Sequence, residues 1–390
     1  MHEFLENAKR IQEDIIRDRR HLHQNPEIYQ ELPMTTAYVL KRLKEIGVEG
    51  KEICKSGVMA EIGGKRPGKT ILLRADMDAL PMEEESGLEF ASCNQYAHTC
   101  GHDMHAAGLL GVARLLKDME DQIEGTVRLM FQPDEEALTG AQSMIDAGIL
   151  DGVDVAFGGH VFPGSLEPGM LAVLPGYAMA SSDRFKITLK GHGGHGSMPH
   201  KAVDPINTAV HIFLGLQEII AREANAIDPT VITVGSFRAG DAPNIIPETA
   251  VMEGSIRAKS REARALARTR LEEVSKGIAG VYRTECEVTF TGGTPSLYNN
   301  PELLEEMTAY AGEIADQVVT MDFAMGSEDF ALLAERVPAV YIGVGAGGQE
   351  EVYQLYYNHN PKVQFSEAAL VYITAVYSYC AVKWLENHRE

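Results

Sequence analysis

Three apolar runs in the first half of the chain each stop at residues that buried strands seldom carry inside them. Thr70–Ala75, rich in Ile and Leu, runs into Asp76-Met77-Asp78-Ala79-Leu80-Pro81. Gly125–Phe131 stops at Gln132-Pro133-Asp134-Glu135-Glu136, and Val153–Gly159 delivers His160. Short apolar runs without polar alternation are the pattern of strands covered on both faces. Helices are expected between them: an apolar stripe of Leu109, Leu110, Val112, Ala113, Leu115 and Leu116, and a second helix at about 139–147. Open α/β sheets collect ligand sites at the carboxyl ends of their strands. The fold class expected is therefore α/β, a central mixed sheet flanked by helices, with chemistry at those ends.

The stretch Gln95-Tyr96-Ala97-His98-Thr99-Cys100-Gly101-His102-Asp103-Met104-His105 sits just before the first of those helices. A thiolate and an imidazole two residues apart, on a loop pinned at a helix start, can turn toward one point. Cys, His and carboxylate together suit a divalent transition ion, and the helix N-terminus favours thiolate over thiol. The candidates at strand ends and loops are Asp76, Asp78, Cys100, His102, Glu135, Glu136, His160 and His359. Together they exceed the needs of one ion, and so many acids would repel one another without bound cations. Two ions sharing a ligand would use them, with Cys100 a plausible bridge. Neighbouring residues at a strand end point different ways. One of Glu135 and Glu136 can therefore ligate while the other takes a proton from the attacking water and passes it to a leaving amine. Asp78 could hold a ligand or that base in place.

The rest of the chain frames this site. A helix is expected over 3–24, and another from about Thr35 to Ile46 that stops at Gly47. The middle reads β-α-β-β-α-β: strands Phe185–Lys190, Val231–Phe237, Ala250–Ala258 and Glu285–Thr291, with helices Ala202–Ala226 and Arg261–Ile278. That is the order of a ferredoxin-like α+β module. The α/β pattern resumes after Gly292-Gly293-Thr294-Pro295, so residues 183–292 are expected as an insertion in a discontinuous domain of 1–182 and 293–390. Short links at its two ends would let the insertion swing.

A formal net charge of −21 argues against nucleic acid and anionic membrane surfaces as partners. The N-terminus has no apolar signal core, and no apolar run reaches the roughly 18 residues of a membrane span. The five cysteines, Cys54, Cys93, Cys100, Cys286 and Cys380, are scattered and odd in number. They fit a reducing cytoplasm rather than a disulfide framework.

Taken together, seven motifs resemble the M20 metallopeptidase and amidohydrolase family, in particular its aminoacylase, hippurate hydrolase and auxin-conjugate hydrolase branch. They are Arg74-Ala75-Asp76-Met77-Asp78-Ala79-Leu80-Pro81; Cys100-Gly101-His102-Asp103-Met104-His105; Gln132-Pro133 with Glu135-Glu136; Gly159-His160; Gly193-Gly194-His195-Gly196-Ser197-Met198-Pro199; Asn244-Ile245-Ile246-Pro247; and Gly326-Ser327-Glu328-Asp329-Phe330. They span nearly the whole chain in the family's order. The resemblance implies two divalent ions per subunit, zinc or manganese, held by Cys100, His102, Glu136, His160 and His359. It implies Glu135 as general base and acid and Asp78 as the orienting carboxylate. It also implies an inserted lid that makes a homodimer, His195 on the substrate carbonyl, often across subunits, and Asn244 with Arg257 on the substrate carboxylate. A planar guanidinium suits that task. Asp134, Ala137-Leu138-Thr139 and Thr99 depart from the common pattern near the metals.

The activity so implied is hydrolysis of the amide bond in N-acyl amino acids or small conjugates. A dipeptidase or carboxypeptidase on the same site is the near alternative. A catalytically silent metal-holding binding protein is the alternative of another class. Retention of Glu135 speaks against it, because a mere metal holder needs no general base.

Overall fold

Strand Thr70–Asp76 is the axis of the larger sheet, and every residue after its first is buried. It lies parallel to Thr126–Gln132 on one side and to Val155–Phe162 on the other. Val155–Phe162 in turn lies parallel to Ala339–Gly345. Strand order across this eight-stranded mixed sheet is Gly50–Cys54, Gly57–Gly63, Thr126–Gln132, Thr70–Asp76, Val155–Phe162, Ala339–Gly345, Met170–Val173, Gln317–Thr320. Four neighbouring strands thus point their carboxyl ends the same way. Parallel neighbours need a crossover, and helix His102–Asp118 makes the one between Thr70–Asp76 and Thr126–Gln132. This helix is buried almost all round, packed against Gln12–Gln24, Ala369–Asn387 and strand Thr70–Asp76.

The computed structural model describes residues 2–389. The chain forms two compact units: Met1–Gly176 with Tyr298–Asp322 and Asp329–Glu390, and Tyr177–Leu297 with Phe323–Glu328. The second unit has a four-stranded antiparallel sheet in the order Thr230–Ala239, Thr249–Ala258, Ser181–Lys190, Glu285–Thr294. Numbered along the module, that order is 2-3-1-4, as in ferredoxin-like folds. Helices Pro205–Glu218 and Arg261–Tyr282 share its core with Phe185, Ile187, Leu189, Met252 and Ile256. Along Ser181–Lys190 buried and more accessible residues alternate from Phe185 on, the mark of a sheet with one wet face.

Local chemistry moves several boundaries. The helix expected over 3–24 is two, Glu3–Arg10 and Gln12–Gln24, because the backbone leaves helical values at Ile11 (φ −104°, ψ 9°). The helix expected over 202–226 starts at Pro205, where Asp204 accepts hydrogen bonds from the amides of Ile206 and Asn207. It ends at Glu218 and passes into a π-helical turn, Ile219–Glu223. Strand Val155–Phe162 runs past His160, which therefore projects from within the strand rather than from beyond its end. Among the described residues, no helix is long and apolar enough to cross a membrane.

Candidate metal centre

Gly101 joins Cys100 to the helix that begins at His102, and it does so in the left-handed region (φ 94°). A Cβ there would lie 2.4 Å from Val161 Cγ2 and 3.2 Å from Phe365 Cζ. Both the dihedral and the space demand glycine. The tight turn places a thiol and an imidazole on either side of it, as the sequence spacing requires. His102 Nδ1 is 2.8 Å from the carbonyl oxygen of Asp78. The fully buried Nε2 has no hydrogen-bond partner in the protein. His160 repeats the device, with Nδ1 2.8 Å from the Val161 carbonyl oxygen. A ring that donates from Nδ1 to a carbonyl presents the Nε2 lone pair to a metal.

Four of these groups converge on the Cys100 sulfur and its neighbours. Sγ lies 3.2 Å from His160 Nε2 and 3.3 Å from His359 Nε2. His359 Nε2 is 3.3 Å, and His102 Nε2 3.9 Å, from Glu136 Oε1. Two triads result, Cys100–His102–His160 and Cys100–Glu136–His359, each with its ligand atoms within 4.8 Å of one another. Cys100 belongs to both. Glu135, 6% exposed, joins His102 and Glu136 in a third such group. The first triad is the deeper one, since the side chain of His359 is 53% exposed.

The electrostatics suit a cation. Burial pushes the Cys100 thiol up, only partly offset by His102, and a bound cation would reverse that balance. Burial, with His105 and His102 nearby, holds the His160 imidazole well below its ordinary value, in the neutral form that ligates. Hydrogen bonds to Cys100 and Glu136 push His359 up to about 10, and the Glu136 carboxylate beside it is a negative charge that favours a cation at that place. His102 Nε2 is buried without a hydrogen-bond partner. Orphaned polar atoms of this kind call for an explanation, and a divalent ion bound by S, N and O donors provides one.

Asp76, also counted among the candidates, has a carboxylate oxygen within 4.8 Å of ring nitrogens of His102 and His105, and it is tied to an arginine as well. It accepts from Arg74 Nη1 at 2.6 Å and pairs with His105 Nδ1 at 2.5 Å. Burial would raise its carboxyl, but Arg74, His102 and His105 outweigh that and hold it well below the usual range. Arg74 also donates to Gln132 (3.0 Å) and Asp329 (3.1 Å), and Asp329 accepts from Gln132 and the Ala141 amide. This buried lattice ties the ends of two strands to the start of helix Gly140–Asp146 and to the segment that holds Asp329. His105 Nε2 accepts from the Val161 amide at 3.0 Å, so it supports the strand of His160. The ligand pattern in the sequence does not single out Arg74 or Asp329 as supports of the site. The signal was an arginine inside an apolar strand, which burial tolerates only if paired.

Asp78 sits between ligands: its Oδ2 accepts from the Glu136 amide at 3.1 Å, and its Oδ1 is 3.3 Å from His102 Nδ1. The loop ahead of Glu136 is tight. Asp134 adopts a left-handed conformation (φ 58°) and hydrogen-bonds Thr139, so this departure from the common pattern shapes the turn that carries both glutamates.

His195, Asn244 and Arg257 all lie in the second unit. Gly194–His195 pairs with Ile245–Ile246 in a two-stranded ribbon, and the Gly196 amide donates to the Asn244 carbonyl at 2.9 Å. His195 Nδ1 accepts from the Ser197 amide at 3.1 Å, which leaves Nε2 as the ring atom available to a substrate. Arg257 lies opposite Ser182 on the neighbouring strand and hydrogen-bonds its hydroxyl.

A family model described as Peptidase family M20/M25/M40 matches residues 72–383. The chain is 37% identical over 376 residues to the N-acetylcysteine deacetylase of Bacillus subtilis, a match that covers 96% of this chain and 97% of that protein. It is 38% identical over 384 residues to thermostable carboxypeptidase 2 of Saccharolobus solfataricus, with 97% of each covered. Among solved structures it is similar to the Bacillus subtilis YXEP protein, described as a dinuclear metal binding peptidase from the M20 family. The TM-score there is 0.84 at 35% identity, over 97% of this chain and 99% of that one.

Proposed function

The chain belongs to peptidase family M20/M25/M40, and on that premise we propose that it hydrolyses the amide bond of N-acyl amino acids or small amino-acid conjugates. The observation that carries this reading is one sulfur shared by two ligand triads, with Glu135 beside them. We assign Cys100, His102 and His160 to an inner ion and Cys100, Glu136 and His359 to an outer one. Zinc or manganese suits the mixed donor set. When bound, such a pair polarises the scissile carbonyl and makes water acidic enough to attack near neutral pH. Glu135 then takes the proton of the attacking water, the oxygen–carbon bond forms, and Glu135 returns the proton to the amine as the carbon–nitrogen bond breaks. Asp78 holds His102 and the Glu136 turn in register for that work. His195 meets the substrate carbonyl, and Asn244 and Arg257 the substrate carboxylate. The products are a carboxylic acid and a free amino acid.

The carboxypeptidase relative supports a second reading, dipeptidase or carboxypeptidase action at the same site. A panel of acetyl-, benzoyl- and aminoacyl-amino acids separates the two, using protein reconstituted with zinc or with manganese. Turnover of the acyl compounds is expected, lost on chelation and restored by metal. Turnover of aminoacyl compounds alone favours the peptidase reading, and none with verified metal overturns both. On the preferred substrate, Arg257→Ala should raise KM by about 10–100-fold, the worth of a charged hydrogen-bond pair. An unchanged KM removes Arg257 from the carboxylate site.

We also infer a homodimer through the second unit. Its edge strand Thr230–Ala239 leaves backbone groups unpaired, and Val231 and Phe237 on it are exposed. Helix Pro205–Glu218 adds exposed Val210, Phe213 and Leu214. Sedimentation should give a dimer mass for the natural chain and a monomer for Leu214→Asp with Phe213→Asp; a monomeric natural chain refutes the inference. The five cysteines, none in a disulfide, support a cytoplasmic setting.

A further inference from the structure

His359 is the most exposed of the candidate ligands and the farthest along the chain, and its backbone is left-handed (φ 69°), uncommon for a residue with a Cβ. Something must hold the segment in that conformation. Two hydrogen bonds do so. The His359 amide donates to the Thr99 carbonyl at 2.9 Å. The side chain of Asn358 donates from Nδ2 to the Cys100 carbonyl at 3.0 Å. The same Nδ2 reaches to 3.5 Å from the Val161 carbonyl, the oxygen that His160 Nδ1 already engages at 2.8 Å. One carboxamide therefore touches the backbone of the Cys100 turn and of the His160 strand while standing next to His359. Neither composition nor the motifs marked it.

We propose that Asn358 is a positioning residue that fixes His359 against the Cys100 turn and thereby sets the affinity of the outer ion. The proposal rests on the two-triad reading above. The effect falls on the outer ion for a geometric reason. The inner triad keeps its own supports, His102 on the Asp78 carbonyl and His160 on the Val161 carbonyl, when Asn358 is removed. His359 keeps only its backbone bond to Thr99 and its contacts with Cys100 and Glu136. Partners that orient a ligand from behind are commonly worth 10–100-fold in metal affinity. Because Asn358 is only partly buried, its loss leaves the core intact.

The test is metal titration, not turnover. The natural chain, Asn358→Ala, Asn358→Asp and the reference His359→Ala are stripped, reloaded with cobalt(II), and titrated with a chelator while bound metal and the sulfur-to-cobalt absorption are followed. The natural chain should hold two ions per chain. In Asn358→Ala one ion keeps its affinity and the other weakens by about 10–100-fold, in the direction of His359→Ala. Asn358→Asp, nearly isosteric but facing carbonyl oxygens without a donor, should weaken the same ion at least as much. Two ions of natural affinity in either variant overturn the proposal, as does equal loss of both ions with an unchanged circular dichroism spectrum. A natural chain that takes up no ion overturns the two-triad reading itself, and the wild-type titration alone separates that outcome from failure at Asn358.

Discussion

Glu135→Gln should retain both ions and lower kcat by roughly 10²–10⁴-fold, the usual contribution of a positioned general base and acid. Gln has the shape of Glu but cannot accept the water's proton or return one to the amine. A carboxylate oxygen of Glu135 lies within 4.8 Å of ligand atoms of both His102 and Glu136, and the residue is 6% exposed. Its backbone is fixed by the turn in which the Leu138 amide donates to the Glu135 carbonyl at 2.7 Å and the Gly140 amide to the Asp134 carbonyl at 3.1 Å. A Cβ at residue 140 would sit 1.5 Å from the Pro133 carbonyl oxygen, so the turn admits only glycine there. An isosteric change on so constrained a loop should not move the metals. Measuring bound metal with kcat is therefore decisive. Full activity in the variant removes Glu135 as the base, whereas loss of metal together with activity makes it a ligand.

The contrast between Glu135 and Glu136 shows what was legible beforehand. Two acids following an apolar strand had to point different ways, and the structure gives Glu136, not Glu135, the place beside Cys100 and His359. Chain order also foretold the ferredoxin-like unit, because its strands and helices follow one another as β-α-β-β-α-β, although the first helix begins after the Asp204 cap rather than at 202; the second begins after Ser260, whose side chain accepts from the Ala263 amide. Periodicity over a window of ten or twenty residues sufficed for both.

Less legible were the supports, and the reason is distance along the chain. Arg74 meets Asp329 across a separation of 255 residues, and Asn358 meets Cys100 across 258. No local pattern encodes such a partner. Asp76 illustrates the consequence. Read by type and place, it is as good a ligand as Asp78; read with its neighbours, it is the counter-ion of Arg74 and the anchor of His105. The arginine was visible two residues earlier, on the same face of the strand. Pairing within the strand was therefore a possible inference, one that the motif reading passed over. The break at Ile11 and the π-helical turn after Glu218 had no such signal.

Cys100→Ala should have the largest effect of all, because it is the one side chain in both triads. Its removal leaves His102 with His160, and Glu136 with His359, each pair too few to close a site that expects at least three protein ligands. Both ions should be lost together, by more than the roughly 10–100-fold that follows loss of an outer-shell partner, and turnover with them. Cys100→Ser is the informative companion. It keeps the turn that Gly101 enforces and replaces a soft donor with a hard one, so metal preference should move from zinc or cobalt toward manganese. If instead Cys100→Ala gives up one ion and keeps the other at natural affinity, the sulfur serves a single site, and the 3.2 and 3.3 Å approaches of His160 and His359 to it describe packing around one ion rather than a bridge between two.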